Sequence, residues 1–222
     1  MARPGLRFVP LLGALFVVLV VVGFLVAGDT PDIDSAAPEI RGDYDDEAKH
    51  QISAYLVALG GASLLFFAGY WRSVLRDLHP SGRTTANVAL AGAVVTATGL
   101  AVSSVIHAAL AEAAQKSQVS DPALQALNAL DGWSFYPFAI GLAVFTLASG
   151  VALVRGRAFL PSWLGWAGVV LGVLELIPIV GFFAALAGAI WVLVISLMLF
   201  ARWEAVEGLR GDAVGAPSRP LS

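Results

Sequence analysis

Six apolar stretches, each near the length needed to cross a bilayer, recur along this chain with almost no basic residue inside them. About 20 apolar residues cover roughly 30 Å of hydrocarbon, and the stretches run over residues 8–27, 52–71, 86–110, 133–154, 163–180 and 182–203. Arg202, in the last turn of the sixth, is the one basic residue that they include. Composition agrees, because 58% of the 222 residues are apolar and 13% charged, with a mean hydropathy of +0.81. A soluble domain is about 45–50% apolar and 25% charged. In lipid the backbone must satisfy its own N–H and C=O groups, which leaves helices for spans of this length. The expected fold is therefore all-α: a six-helix membrane bundle in one domain, 1–203, with a disordered cytoplasmic tail over 204–222.

Arg3 and Arg7 precede the first stretch as they would in a secretory signal. That stretch is longer than the roughly 7–15 apolar residues of a signal, and Leu25 fits the small-residue cleavage pattern poorly. It is read as a retained membrane anchor.

Orientation follows from the basic residues. With the N-terminus in the cytoplasm, the inner segments hold Arg3, Arg7, Arg72, Arg76, Arg83, Arg155, Arg157, Arg202, Arg210 and Arg219, and the outer ones hold Arg41, Lys49 and Lys116. Ten against three is the bias of the positive-inside rule, so both termini are expected inside a cell membrane crossed several times. The first outer loop carries Asp29, Asp32, Asp34, Glu39, Asp43, Asp45, Asp46 and Glu47. Such a charge run reads as a solvated, partly disordered segment.

The second outer connection, 111–132, has more pattern. The third stretch should continue as helix through Gln115, and Ser120-Asp121-Pro122 then supplies a helix start. Leu124, Leu127 and Leu130 recur every third residue, which predicts a short amphipathic helix laid on the membrane surface or the bundle.

Small residues mark close helix packing. The third stretch, rich in Ala, Gly, Ser and Thr, needs neighbours to cover it and is expected at the centre of the bundle. Gly168 and Gly172 form a GxxxG pair that serves either packing within the chain or a homodimer. Trp71, Trp163, Trp166 and Trp203 fall at the inner interface and Trp133 at the outer one, while Pro137 and Pro178 predict kinks or short unwound turns near the outer ends of their spans. Shifting Ser53–Ser81 forward by 81 gives nine identities in 29 positions. Both chance matching of Gly- and Ala-rich helices and a duplicated helical hairpin account for that.

Polar residues inside such stretches are functional candidates. Glu175 is the clearest, about 18 Å beyond Trp163 at 1.5 Å per residue. His107, His50, Tyr55 and Asp131 fall at similar or more outward levels, so these five residues sketch an outward-facing polar cavity. Glu47 and His50 have the Glu-x-x-His spacing that shares a helix face, which with His107 suggests a cation site. Proton-coupled movement of a solute past Glu175 is another reading, and a purely structural hydrogen bond a third. No catalytic, cofactor or metal residue is assigned. Cysteine is absent, as are a Walker loop, an HExxH and a GxSxG elbow, and the Arg residues are too scattered for a nucleic-acid surface.

The run Leu160-Pro161-Ser162-Trp163-Leu164-Gly165-Trp166-Ala167-Gly168, followed by Leu171-Gly172-Val173-Leu174 and later Trp191-Val192-Leu193-Val194, resembles the uncharacterised small multi-pass membrane proteins of high-GC Gram-positive bacteria. The resemblance implies a bundle of about six helices and no assigned activity or cofactor. Its partner would be the lipid bilayer. The function expected is that of a structural or regulatory membrane protein without its own catalysis. The alternatives are a small-solute or ion transporter using the cavity near Glu175, and an extracytoplasmic-face metal-binding protein or membrane-embedded enzyme. Reporter fusions after Arg41, Arg76, Ser117, Arg157 and Arg210 should read out, in, out, in and in. An exported reporter at Arg210 would contradict an even number of crossings.

Overall fold

In the computed structural model, which describes residues 7–78, 82–156, 160–177 and 180–203, every regular element is a helix. In chain order these are α1 (Leu11–Ala27), α2 (Ala37–Asp43), α3 (Glu47–Asp77), α4 (Gly82–Gln115), α5 (Asp121–Trp133), α6 (Tyr136–Arg155), α7 (Ser162–Glu175) and α8 (Gly181–Ala201). Four helical stretches are long and apolar enough to cross a membrane: Glu47–Asp77, Gly82–Gln115, Asp121–Arg155 and Phe183–Ala201. Two more, Leu11–Ala27 and Ser162–Glu175, are apolar but shorter.

The fifth stretch, expected as a span over 163–180, is helical only to Glu175. A proline follows at 178, and the residue before a proline is disfavoured in helix. Pro178 itself and the predicted tail, 204–222, lie outside the described residues. At Pro137 the expected unwound turn is present: residues 134–135 interrupt the helical stretch between α5 and α6, and Pro137 occupies the first turn of α6, where its missing N–H would be unpaired anyway.

Six helices close a ring. Each packs on the next in the order α1, α3, α4, α6, α7, α8 and back to α1, with α8 also against α6. The helix expected at the centre, α4, turns Val88, Val94, Val95, Val102 and Val105 outward. Its small residues bring it close to α3 and α6 on one side only, and α6, flanked by α4, α7 and α8, is the more enclosed. A Cβ at Gly92 would lie 2.5 Å from the Phe145 amide nitrogen, and one at Gly150 would lie 2.5 Å from that of Val169. At such separations backbone meets backbone, and dispersion takes over the role that water expulsion plays in soluble cores. Gly172 is likewise tight against Leu147 of α6, and Gly168 against Trp191 of α8, so the GxxxG face is occupied within the chain.

Polar side chains also tie the ring together. Ser196 of α8 accepts from the Ala14 amide at 2.9 Å, an N–H that the start of α1 leaves unpaired, and donates at 2.6 Å to the Pro10 carbonyl, which also accepts from the Gly13 amide. Beside it Phe8 and Phe200 rings lie 6.1 Å apart, so the two ends of the helical region meet on one face. Trp71 is buried in the core, not at an interface, because its indole N–H donates to Ser149 Oγ at 2.9 Å. Trp133, Trp163 and Trp166 stay exposed, as interfacial rings should. The two hairpins of the internal echo differ in length, with 31 and 34 residues in α3 and α4 against 20 and 14 in α6 and α7.

The close contacts give a controlled test. Gly92→Ala should lower stability by about 1–3 kcal/mol through overpacking. Gly69→Ala, whose Cβ would meet nothing within 4 Å, should leave stability unchanged or raise it by up to about 1 kcal/mol. Thermal denaturation of both purified variants in one detergent measures the difference.

Candidate functional site

One end of the bundle is roofed. The acidic loop, expected to be solvated and partly disordered, keeps most of its acids exposed but forms α2 and docks Ile40 and Tyr44 into a second apolar cluster with Leu110, Ala111, Ala114 and Leu124. Ile40 and Tyr44 are four residues apart, one helical turn, and Pro38 fits the first turn of α2. Arg41 fastens the same helix, donating to the carbonyls of Ala114 at 2.8 Å, Val119 at 2.8 Å and Lys116 at 3.3 Å, and lying 3.5 Å from Asp121. These carbonyls belong to the end of α4 and the turn after it, where helix geometry leaves acceptors unmet. Gln115 donates to the Tyr44 carbonyl, and Asn128 to the Asp32 carbonyl at 2.7 Å. The predicted amphipathic helix exists as α5, with Leu124 buried against this cluster and Leu130 exposed.

Beneath the roof four side chains from four segments form a line. Asp131 Oδ2 lies 3.0 Å from His107 Nδ1, His107 Nε2 lies 3.1 Å from His50 Nδ1, and His50 Nε2 lies 3.2 Å from the Asp43 carbonyl. Tyr44 donates its hydroxyl to the same Asp131 oxygen at 3.3 Å. Tyr44 and His50 have no exposed surface, while the side chains of His107 and Asp131 keep 12% and 14%. Burial, and secondarily the Asp131 carboxylate, push the Tyr44 phenol well above its ordinary range, so it stays a donor. Ser134 extends the group, donating to the Asp131 carbonyl at 2.7 Å and lying 2.8 Å from Ser103 Oγ.

His107 and Asp131 also face a cavity of about 400 Å³. Its polar lining is made by these two with Ser53, Ser103, Ser104 and Ser134, and its apolar lining by Phe24, Val57, Phe135, Phe138 and Leu186. Pockets of this volume hold small molecules, with few polar groups set in an apolar lining.

The sequence-predicted residues divide into two groups. His50, His107 and Asp131 come together. Tyr55 is 67% exposed on the outside of α3, and Glu47 sits in the first turn of α3, neither with a bond to the line. Glu175 is inward-facing but belongs elsewhere, between α6 and α8. Its Oε2 accepts from Thr146 Oγ1 at 3.1 Å, and its Oε1, without a hydrogen-bond partner among the described residues, lies against Gly188. For the cation-site reading, no group of three or more His, Asp or Glu side chains that could hold a metal occurs among the described residues. The two imidazoles are bonded to each other. Sequence reasoning missed Tyr44, Arg41, Gln115 and Asn128, although the Ile40/Tyr44 spacing inside an otherwise acidic loop was the available signal. No family model matches the chain, and neither a curated protein nor a solved structure matches it.

The Glu175 niche generates a coupling test. A methyl at Gly188 would occupy the position of the carboxyl oxygen, so Gly188→Ala should cost about 1–3 kcal/mol and the same change in a Glu175→Ala background much less. A double-mutant cycle on thermal stability should give coupling of about 1 kcal/mol or more. Additive effects would refute the contact.

Proposed function

We propose that this chain is a six-span cell-membrane protein, both termini cytoplasmic, that holds a small amphiphilic molecule in the cavity under its outer roof. It acts in a structural or regulatory way without catalysis of its own. The cavity carries the reading: a space of about 400 Å³ lined by hydroxyls, an imidazole, a carboxyl and three phenylalanines suits a neutral molecule with a hydrogen-bonding head and a short apolar body. The six-span arrangement is supported by the ring of α1, α3, α4, α6, α7 and α8 and by the meeting of Phe8 with Phe200, which an even number of crossings requires. The bias in basic residues supports the inward termini.

Transport is the rival, and it needs a continuous polar path with gating on both sides. Two observations weigh against it. Glu175 is absent from the cavity lining and bonded to Thr146. The void adjoining the cavity is about 40 Å³ and bordered by Phe16, Val20, Leu100 and Leu142. Lipid-chain alcohols are suitable probes. Saturating 1-dodecanol, at about 100 times its Kd, should stabilise the purified protein by about 2.7 kcal/mol, or roughly 5–10 °C in Tm. Ala54→Phe, which fills the cavity from α3, should abolish that shift while the protein remains folded. Equal shifts in both proteins would overturn the reading.

A further inference from the structure

We propose that His50, His107 and Asp131 form a binding site for a single labile proton that locks the roof, α2 and α5, onto α3 and α4. This goes beyond the cavity reading and does not need a molecule in the cavity. It follows from counting hydrogens along the three contacts between the Asp43 carbonyl and Asp131.

A carbonyl oxygen only accepts, so His50 Nε2, at 3.2 Å from Asp43 O, must carry a hydrogen. In a neutral ring the other nitrogen is then bare, and His50 Nδ1 must accept from His107 Nε2 across 3.1 Å. His107 Nε2 therefore carries its own hydrogen, which leaves His107 Nδ1 bare if that ring is neutral. Yet Nδ1 lies 3.0 Å from Asp131 Oδ2, and an ionised carboxylate only accepts. Two neutral imidazoles bring two hydrogens to three contacts. The third contact needs one more proton, held as a His107 imidazolium facing a carboxylate or as an Asp131 carboxylic acid facing a neutral ring. In either form the three side chains together are net neutral.

The count fixes the response to losing that proton. Removing that proton sets two lone pairs against each other at one contact and leaves a net negative charge on a mostly buried group. A second proton on His50 Nδ1 would face the N–H of His107, whereas one on Asp131 keeps every contact, with His107 donating to the carbonyl oxygen of the acid, and adds a net positive charge. Loss of the proton is therefore the change that must break a contact, so the roof should loosen on the alkaline side.

The other charged groups that act on these side chains are Lys49 and Asp46, which face His50, and Asp43, which faces Tyr44. On α2, Arg41 is turned to the carbonyls of Ala114 and Val119 and to Asp121, and Tyr44 adds its hydroxyl as a neutral donor. On α3, Asp46 caps the Lys49 amide at 3.1 Å, with Lys49 and Glu47 in the same first turn. On α4, Glu112 pairs with Lys116. From α5 the line receives Asp131, while α8 has no titratable residue between Gly181 and Ala201.

The discriminating variant is Asp131→Asn. An amide can donate one hydrogen to bare His107 Nδ1 and keep Tyr44 as a partner, completing all three contacts without a labile proton. Hydrogen exchange of residues 37–46 and 121–133, corrected for intrinsic rates, should be followed by mass spectrometry in the full chain reconstituted in nanodiscs from mildly acid to alkaline pH. In wild type, protection of both segments should fall together by roughly tenfold or more on the alkaline side, the size expected when a buried partner is left unmet. In Asp131→Asn the alkaline fall should vanish. A flat wild-type profile, or an unchanged fall in Asp131→Asn, would overturn the proposal. Should the variant not fold, nitrogen NMR of the wild-type rings decides by itself, in a His79→Gln background that removes the third imidazole. His50 must show a bare Nδ1 and a protonated Nε2, and the reverse tautomer would refute the count.

Discussion

Contact between helix backbones, at distances where a side chain does not fit, is the constraint on which the rest of this molecule depends. At Gly92 against Phe145 and at Gly150 against Val169 an added methyl would lie 2.5 Å from a backbone nitrogen. These two approaches fix α4 on one side of α6 and α7 on the other. Once that sheet of three helices is set, α3 and α1 continue the ring from α4, and α8 closes it from α7. Lipid supplies no hydrophobic drive between helices, so this closeness of fit has to do the work. The outward valines of α4 follow from the same geometry: its small residues are spent on the sides facing α3 and α6, and the remaining face is exposed.

The roof depends on the ring through the ends of helices. Helices leave their last carbonyls and first amides without partners, and α4 ends where α2 and α5 can reach it. Arg41 and Gln115 engage such groups at the close of α4 and α2, while His50 uses the Asp43 carbonyl in the same way. A loop with eight acids therefore folds, because two apolar residues one turn apart and one arginine find a prepared surface on α4.

Much of this was legible beforehand, and the reason differs by feature. The apolar helices and the start of α5 rest on strong local signals, a long apolar run and a Ser-Asp-Pro start; α5 begins where the sequence puts it, while four of the apolar stretches are long enough to cross a membrane and the first and fifth are shorter. The central role assigned to α4 failed because small residues say that a helix packs closely, without saying on how many sides. Similarly, Trp71 was assigned to the interface by type, and only its tertiary partner Ser149 explains its burial. His50, His107 and Asp131 were grouped correctly from level in the membrane. Glu175 was grouped with them wrongly, since depth along a span carries no information about the direction in which a residue points around it.

That distinction explains why polar chemistry gathers under the roof and not at mid-bundle. A side chain near the end of a helix finds carbonyls and amides released by neighbouring ends, so His50 and Asp131 can be matched atom by atom. Glu175 also closes a helix, as the last residue of α7, but its side chain turns to the middle of α6 and to the second turn of α8, where backbones are internally bonded, and must rely on another side chain. Thr146 serves one oxygen and the bare surface of Gly188 faces the other. Thr146 lies on α6, the helix whose backbone approaches α4 at Gly92 and α7 at Gly150, so the niche of Glu175 is set by the same packing that makes the ring.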